Sequence, residues 1–317
     1  MTVIDAHMHV LDSSWIPEGV RAAWARQAAG RRHPEREPAD LLNRVMSGNS
    51  DPTGERTVRA FDRAGVDCGV MATVDWTIVG APSDGHLDIR ELHRRSHALG
   101  ERWPGRLFHL AGIDPRHTDS LDIVHSALES SWCVGLKLYP GAGWALDDLD
   151  YGWVFELALE LDLPVQVHTS PLGGDPLDTV LNRPTKLGTV LSRYPDLQMV
   201  FGHSGFEAWW LEAIDIAAGW RRTYLEISLW DDLARRDYSE FRKRIGLMLH
   251  RVGAHRVIFG SDIIRGDRSD PEGDELAQWV EMIHGLAVPF KGEAPVASLE
   301  EVDMVLGESA RIAYRLH

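Results

Sequence analysis

Two histidines one residue apart, His7 and His9, interrupt the apolar run from Val3 to Val10 near the N-terminus. Strand side chains alternate between faces, so both imidazoles point the same way, about two strand rises (roughly 7 Å) apart. That spacing lets both reach one metal ion, and Asp5 shares their face. Later apolar runs also carry polar groups at or near their ends. They are Lys137 in Gly135-Leu136-Lys137-Leu138-Tyr139-Pro140, His168 in Val165-Gln166-Val167-His168, His203 in Val200-Phe201-Gly202-His203 and Asp262 in Phe259-Gly260-Ser261-Asp262. A lone histidine at a strand end is ordinarily a hydrogen-bonded core residue. His168 and His203 in equivalent places are hard to explain as packing. Lys137 lies inside an apolar strand, where an unpaired ammonium is costly. It needs an anionic partner, from the protein or a substrate. Alternatively it is carboxylated by CO2, which would make it an anion able to bridge two metals.

The elements that must position these groups alternate. Apolar strands are expected at 3–10, 68–74, 107–113, 133–139, 163–168, 197–203, 223–229 and 256–259. Helices are expected at 55–64, 86–102, 119–130, 151–161, 177–193, from 206 onward, and at 239–252, 274–286 and 298–314. Near-continuous apolar strands separated by helices make a parallel sheet covered by helices. Over 317 residues this predicts one α/β domain, 1–317, folded as a distorted (β/α)8 TIM barrel. No Gly-x-Gly-x-x-Gly or phosphate loop follows the first strand, which counts against a nucleotide-binding sheet. In such a barrel the C-terminal strand ends converge on the face where chemistry sits, and His7, His9, Lys137, His168, His203 and Asp262 all lie at those ends.

Residues 11–54 break the alternation with Trp15, Trp24 and several prolines, and read as an insertion folded over the site as a lid. Residues 298–317 supply a C-terminal helix. Trp76, Tyr139, Glu226, Ser228 and Arg265 are candidate substrate contacts. Trp15, Trp24, Trp76, Trp144 and Trp230 could build an aromatic pocket. Asp75 or Trp76 faces the ligand according to register, and Asp114 is expected to cap a turn. His86, His93 and His97 read as solvated or capping residues of their helix.

The formal charge of −15 opposes binding to nucleic acid or anionic membrane. The two cysteines, Cys68 and Cys133, begin apolar strands and read as buried free thiols in a reducing cytosol. With neither a leader-like start nor an apolar stretch of membrane-spanning length, a cytoplasmic protein is expected. Apolar helix faces allow a homodimer without requiring one.

The segments Ile4-Asp5-Ala6-His7-Met8-His9, Gly135 to Pro140, Val167-His168, Phe201-Gly202-His203-Ser204-Gly205, Phe259 to Asp262 and Gly307-Glu308-Ser309-Ala310-Arg311 resemble the amidohydrolase superfamily. The resemblance is to its amidohydrolase-related group, which includes aminocarboxymuconate-semialdehyde and resorcylate-type decarboxylases. It covers the chain except 11–54. It implies that His7, His9, His168 and Asp262 ligate a metal. His203 would ligate a second metal or hydrogen-bond the reacting oxygen, and Lys137 would bridge two metals only if carboxylated. Such ligands suit one Zn2+, with Mn2+, Fe2+ or Ni2+ as alternatives. Asp262 would then take a proton from a metal-activated water and return it to the leaving group, while His203 stabilises charge on the attacked carbonyl. The expected function is hydrolysis of an amide, lactone or related C–N or C–O bond of a small molecule. The alternatives are non-oxidative decarboxylation of an aromatic or muconate-type acid, and a non-catalytic barrel that binds metal or ligand.

Overall fold

The structure, a computed structural model, describes residues 2–30, 37–42, 50–79, 86–262 and 274–316. Eight strands form one parallel sheet in sequence order: β1 (Ile4–Met8), β2 (Cys68–Ala72), β3 (Leu107–Gly112), β4 (Cys133–Leu138), β5 (Val165–His168), β6 (Met199–Gly202), β7 (Thr223–Glu226) and β8 (Val257–Ile258). The last strand returns to the first. Ala6 N donates to Phe259 O (3.1 Å), and Ser261 N and Asp262 N donate to His7 O (3.2 and 2.7 Å). The sheet is thereby a nearly closed (β/α)8 barrel, as the strand–helix alternation predicts. β1, β2 and β6 are buried at every position; β2 and β6 accordingly carry no charged residue on either face, while β1 keeps apolar Ile4, Ala6 and Met8 on one face and Asp5 and His7 on the other.

Within the predicted stretch 11–54, α1 runs over Glu18–Gly30. The following α2 is Glu55–Ala64, with Val58 and Phe61 buried and Gly65 ending it in the left-handed region (φ 69°). The helix expected at 177–193 is two pieces. A 3-10 turn covers Thr179–Asn182 and a helix Thr185–Arg193, because Pro184 forces Arg183 into extended backbone. The C-terminal helix is interrupted by a π turn, Met304–Glu308. There Gly307 lies against the Thr2 carbonyl, a closeness that a Cβ would forbid.

Several polar residues singled out by their position prove architectural. Asp75 turns away from the barrel mouth. Its Oδ2 accepts from Asp114 N (3.0 Å) and His117 Nε2 (3.0 Å), tying the ends of β2 and β3 together. Asp114 caps its turn, accepting from Arg116 N. His93 is buried rather than solvated, whereas His97 bonds the Ser130 hydroxyl. Cys68 is buried, Cys133 is half-buried, and both are free thiols.

The Asp75–His117 pair carries a pH dependence. The hydrogen bond to Asp75 raises the His117 pKa above its ordinary 6.5, against the opposing effect of burial. A group with a raised folded-state pKa stabilises fully below the unfolded value and loses that contribution as pH rises through the folded value. Thermal melts are expected to show this part of the stability falling from pH 6.5 upward, and His117→Gln should flatten that slope.

Candidate metal centre

Three ligand atoms meet at the C-terminal mouth. Those of His7, His9 and Asp262 lie within 4.8 Å of one another. His9 Nε2 is 2.9 Å and His7 Nε2 3.5 Å from Asp262 Oδ1. The strand pleat accounts for the two histidines, and Asp5 accounts for the aspartate. Buried Asp5 accepts from Ser261 N (2.9 Å) and Ser261 Oγ (2.5 Å), fixing the residue before Asp262. Asp262 itself is in the left-handed region (φ 53°), a conformation that Asp and Asn tolerate.

The hydrogen-bond network fixes the tautomers. Fully buried Glu226 accepts from His7 Nδ1 (2.7 Å), Ser228 Oγ (2.8 Å), Ser228 N (2.5 Å) and His203 N (3.0 Å). His7 therefore holds its proton on Nδ1 and presents a lone pair at Nε2. With the Ser228 proton committed to Glu226, Ser228 Oγ accepts from His203 Nδ1 (2.8 Å). His203 Nε2 then accepts from His168 Nδ1 (3.0 Å). His168 is left with a lone pair on Nε2, which is buried and has no partner among the described residues. Burial pushes the His7 and His168 pKa values well below 6.5, and that of His203 down to about 3, so all three rings are neutral. Burial opposes charge on Asp262. The hydrogen bond with His9 Nε2 (2.9 Å) works the other way and favours the carboxylate.

Lys137 has partners other than the anion its position led one to expect. It pairs in register with Gln166 across β4 and β5. Its Nζ donates to Gln166 Oε1 (2.9 Å) and to His7 Nε2 (3.2 Å), both neutral. Burial lowers its pKa to about 8 against the opposing pull of Asp262 and Glu226.

A cavity of about 340 Å³ opens over these groups. His7, His9, Lys137, His168, His203 and Asp262 line its floor; Trp15, Trp24, Trp76 and Tyr139 form much of its wall. Trp24, Trp76 and Tyr139 make consecutive ring contacts, and Tyr139 stacks beside His168 at 4.3 Å. Leu11, Trp15, Ile16, Trp24 and Gln27 come from the predicted insertion. Trp76 and Tyr139, both expected as substrate contacts, thus line the cavity. Glu226 and Ser228, also expected as substrate contacts, sit beneath the histidines and orient them. Trp144 and Trp230 are likewise not in the wall: Trp144 packs on Tyr151, and Trp230 Nε1 donates to the His203 carbonyl (2.9 Å). Arg265 and its polar loop lie outside the described residues.

Two contributors gave no sequence signal. Tyr314, on the last helix segment (Ser309–Tyr314), accepts from Gln166 Nε2 (3.0 Å). Gly260 leaves the space that Glu226 Oε1 needs, since a Cβ there would collide with it.

The His7, His9 and Asp262 donors fit a divalent cation; His168 lines the same cavity, with a buried Nε2 that has no partner among the described residues, but its nitrogens do not fall within that 4.8 Å group. Glu226→Gln would replace an all-acceptor group by one that presents N–H toward donors. Metal affinity is expected to fall about 10–100-fold, measured by chelator competition.

A parallel barrel that gathers imidazoles and a carboxylate at its C-terminal mouth defines a metal-dependent enzyme of the amidohydrolase fold. The family model Amidohydro_2, described as Amidohydrolase, matches residues 4–316, and the chain belongs to that family. Among solved structures it is similar to an amidohydrolase from Burkholderia multivorans with bound zinc (14% identity, 100% of each chain covered, TM-score 0.69). It is also similar to 5-carboxyvanillate decarboxylase from Sphingomonas paucimobilis (16% identity, 100% of this chain and 99% of that one, TM-score 0.66). A third similar structure is 5-carboxyvanillate decarboxylase from Novosphingobium aromaticivorans, complexed with manganese and 4-hydroxy-3-methoxy-5-nitrobenzoic acid (15% identity, 99% and 96% covered, TM-score 0.65). No curated protein matches the chain. Among the described residues no helix is long and apolar enough to cross a membrane.

Proposed function

We propose that this protein hydrolyses a C–N or C–O bond, such as an amide or lactone, in a small molecule with a flat apolar body. The carrying observation is the meeting of the His7, His9 and Asp262 ligand atoms within 4.8 Å on a cavity floor that also presents the buried His168 Nε2. His7, His9, His168 and Asp262 would hold one divalent ion, Zn2+ first and Mn2+ next. When bound, that ion supplies Lewis acidity toward the attacked carbonyl and the attacking water. Asp262 takes the proton from that water and returns it to the departing nitrogen or oxygen, so water adds across the broken bond. Trp15, Trp24 and Trp76 hold the apolar body and exclude bulk water. Free Cys68 and Cys133 suit a cytoplasmic setting.

A second reading, non-oxidative decarboxylation, is favoured by one specific observation. Lys137 faces the cavity with two neutral partners, and an ammonium has three donors, so one remains for a substrate carboxylate.

One experiment separates the readings. The Zn2+- and Mn2+-loaded protein is offered a panel of aryl lactones, aryl amides and aromatic acids in 18O-labelled water. One 18O atom in the product acid supports hydrolysis. Release of CO2 with proton replacement at carbon overturns it in favour of decarboxylation.

A further inference from the structure

The buried chain Tyr314–Gln166–Lys137–His7 links the last helix segment to a candidate ligand. Gln166 Nε2 donates to Tyr314 OH (3.0 Å) and to the Ala6 carbonyl (3.2 Å), so the amide is locked with Oε1 toward Lys137. Lys137 Nζ then has two acceptors, Gln166 Oε1 at 2.9 Å and His7 Nε2 at 3.2 Å. The second is the atom whose lone pair Glu226 reserves for a metal, because Glu226 holds the His7 proton at Nδ1 (2.7 Å). A lone pair cannot accept from an ammonium and ligate a cation at once. A cation beside Nζ would also meet like charge in a buried site.

We infer that Lys137 competes with the metal for His7 Nε2, and that Gln166, held by Tyr314 and Ala6, is a positioning residue that draws the ammonium aside so that metal can bind. This rests on the metal-site reading given above. Lys137 is then neither a bridge nor a ligand in this chain, and its spare donors turn to the cavity once His7 is taken. The C-terminal helix acquires a part in tuning metal affinity, through the Tyr314 hydroxyl, at a distance from the cavity.

The test measures the Zn2+ dissociation constant by chelator competition, with circular dichroism and thermal melts on the same samples. Lys137→Met is close in volume and removes the competitor, so it is expected to bind Zn2+ several-fold tighter. Gln166→Leu frees Lys137 to hold His7 and is expected to bind about tenfold weaker. Tyr314→Phe should weaken binding in the same direction by less. The double variant Lys137→Met/Gln166→Leu should bind as Lys137→Met does, because Gln166 acts only through Lys137. Weaker Zn2+ binding by Lys137→Met overturns the inference in favour of a carboxylated bridging lysine. A double variant as weak as Gln166→Leu overturns it in favour of a structural role for Gln166. If Gln166→Leu fails to fold, Lys137→Met and Tyr314→Phe still carry the sign. Equal Zn2+ binding by the unaltered protein and by His7→Ala would instead overturn the metal-site reading itself.

Discussion

Asp262→Asn is expected to lower kcat by about 10²–10⁴-fold on whichever substrate the panel identifies, even with metal in excess. The substitution is clean because of the backbone. Asp262 has φ 53°, and Asn adopts the left-handed region about as readily as Asp, whereas Ala would add strain at the same site. Size and shape are kept, and Asp262 N still donates to the His7 carbonyl (2.7 Å), so the closure between β8 and β1 stays intact. What goes is the negative charge between His7 and His9 and the only carboxylate in the proposed ligand set. Two losses follow, and they can be separated. Weaker metal binding is reversed by saturating metal. Loss of the proton acceptor is not, because an amide has no useful basicity. Full activity of metal-saturated Asp262→Asn would remove Asp262 from the chemistry and leave it a ligand only.

The barrel was legible because its signals are local and repeated. Continuous apolar strands such as Leu136–Leu138 and Val165–Val167 can be buried on both faces only in a helix-covered parallel sheet. The ligand candidates were legible for a related reason: polar residues that close apolar strands in a barrel meet at one mouth, as His7, His9 and Asp262 do. Roles within that mouth were less readable. Glu226 and Ser228 point to the barrel interior, as the alternation indicates, yet depth along the strand decides between touching a substrate and supporting a histidine. Depth depends on shear between strands, which alternation does not encode. Charge alone points Lys137 toward an anion and carries no sign of a neutral partner. Gln166 lies on the next strand at the paired position, a register visible only once the sheet is assembled. The breaks at Pro184 and Gly307 differ in the same way. The proline carries its own signal, while the glycine answers to the Thr2 carbonyl, hundreds of residues away in sequence.

Stability should depend heavily on one residue far from the chemistry. Arg242, on the helix Tyr238–Val252, is fully buried, yet among the described residues its Nη donors reach three backbone carbonyls and no carboxylate. Nη1 donates to Gly285 O (2.9 Å) and Val288 O (3.1 Å), and Nη2 donates to Ala294 O (2.8 Å). The guanidinium also lies near the Tyr238 and Phe290 rings, at 5.9 and 5.7 Å. It therefore pins the irregular stretch 285–294, whose carbonyls have no sheet or long helix to satisfy them. That stretch follows the helix Asp274–His284, whose Trp279 Nε1 donates to Gly260 O (2.9 Å) two residues before Asp262. Arg242→Met fills much of the space but removes every donor, leaving the part-buried Val288 and Ala294 carbonyls without it, while Gly285 O keeps Val288 N (3.2 Å). An unsatisfied group costs about 1–3 kcal/mol, and water relieves part of this at a half-exposed carbonyl, so a loss of about 2–3 kcal/mol is expected. For a chain of this size that is a fall in Tm of about 5 °C. The neighbouring Lys243, largely exposed at 79%, provides the control: Lys243→Met should change Tm little. Arg242→Lys keeps the charge but cannot span three carbonyls with one ammonium, and should fall between the two. A melting temperature for Arg242→Met within a degree or two of the unaltered protein would mean that water replaces the guanidinium at all three carbonyls, and that the 285–294 stretch is held by its apolar contacts alone.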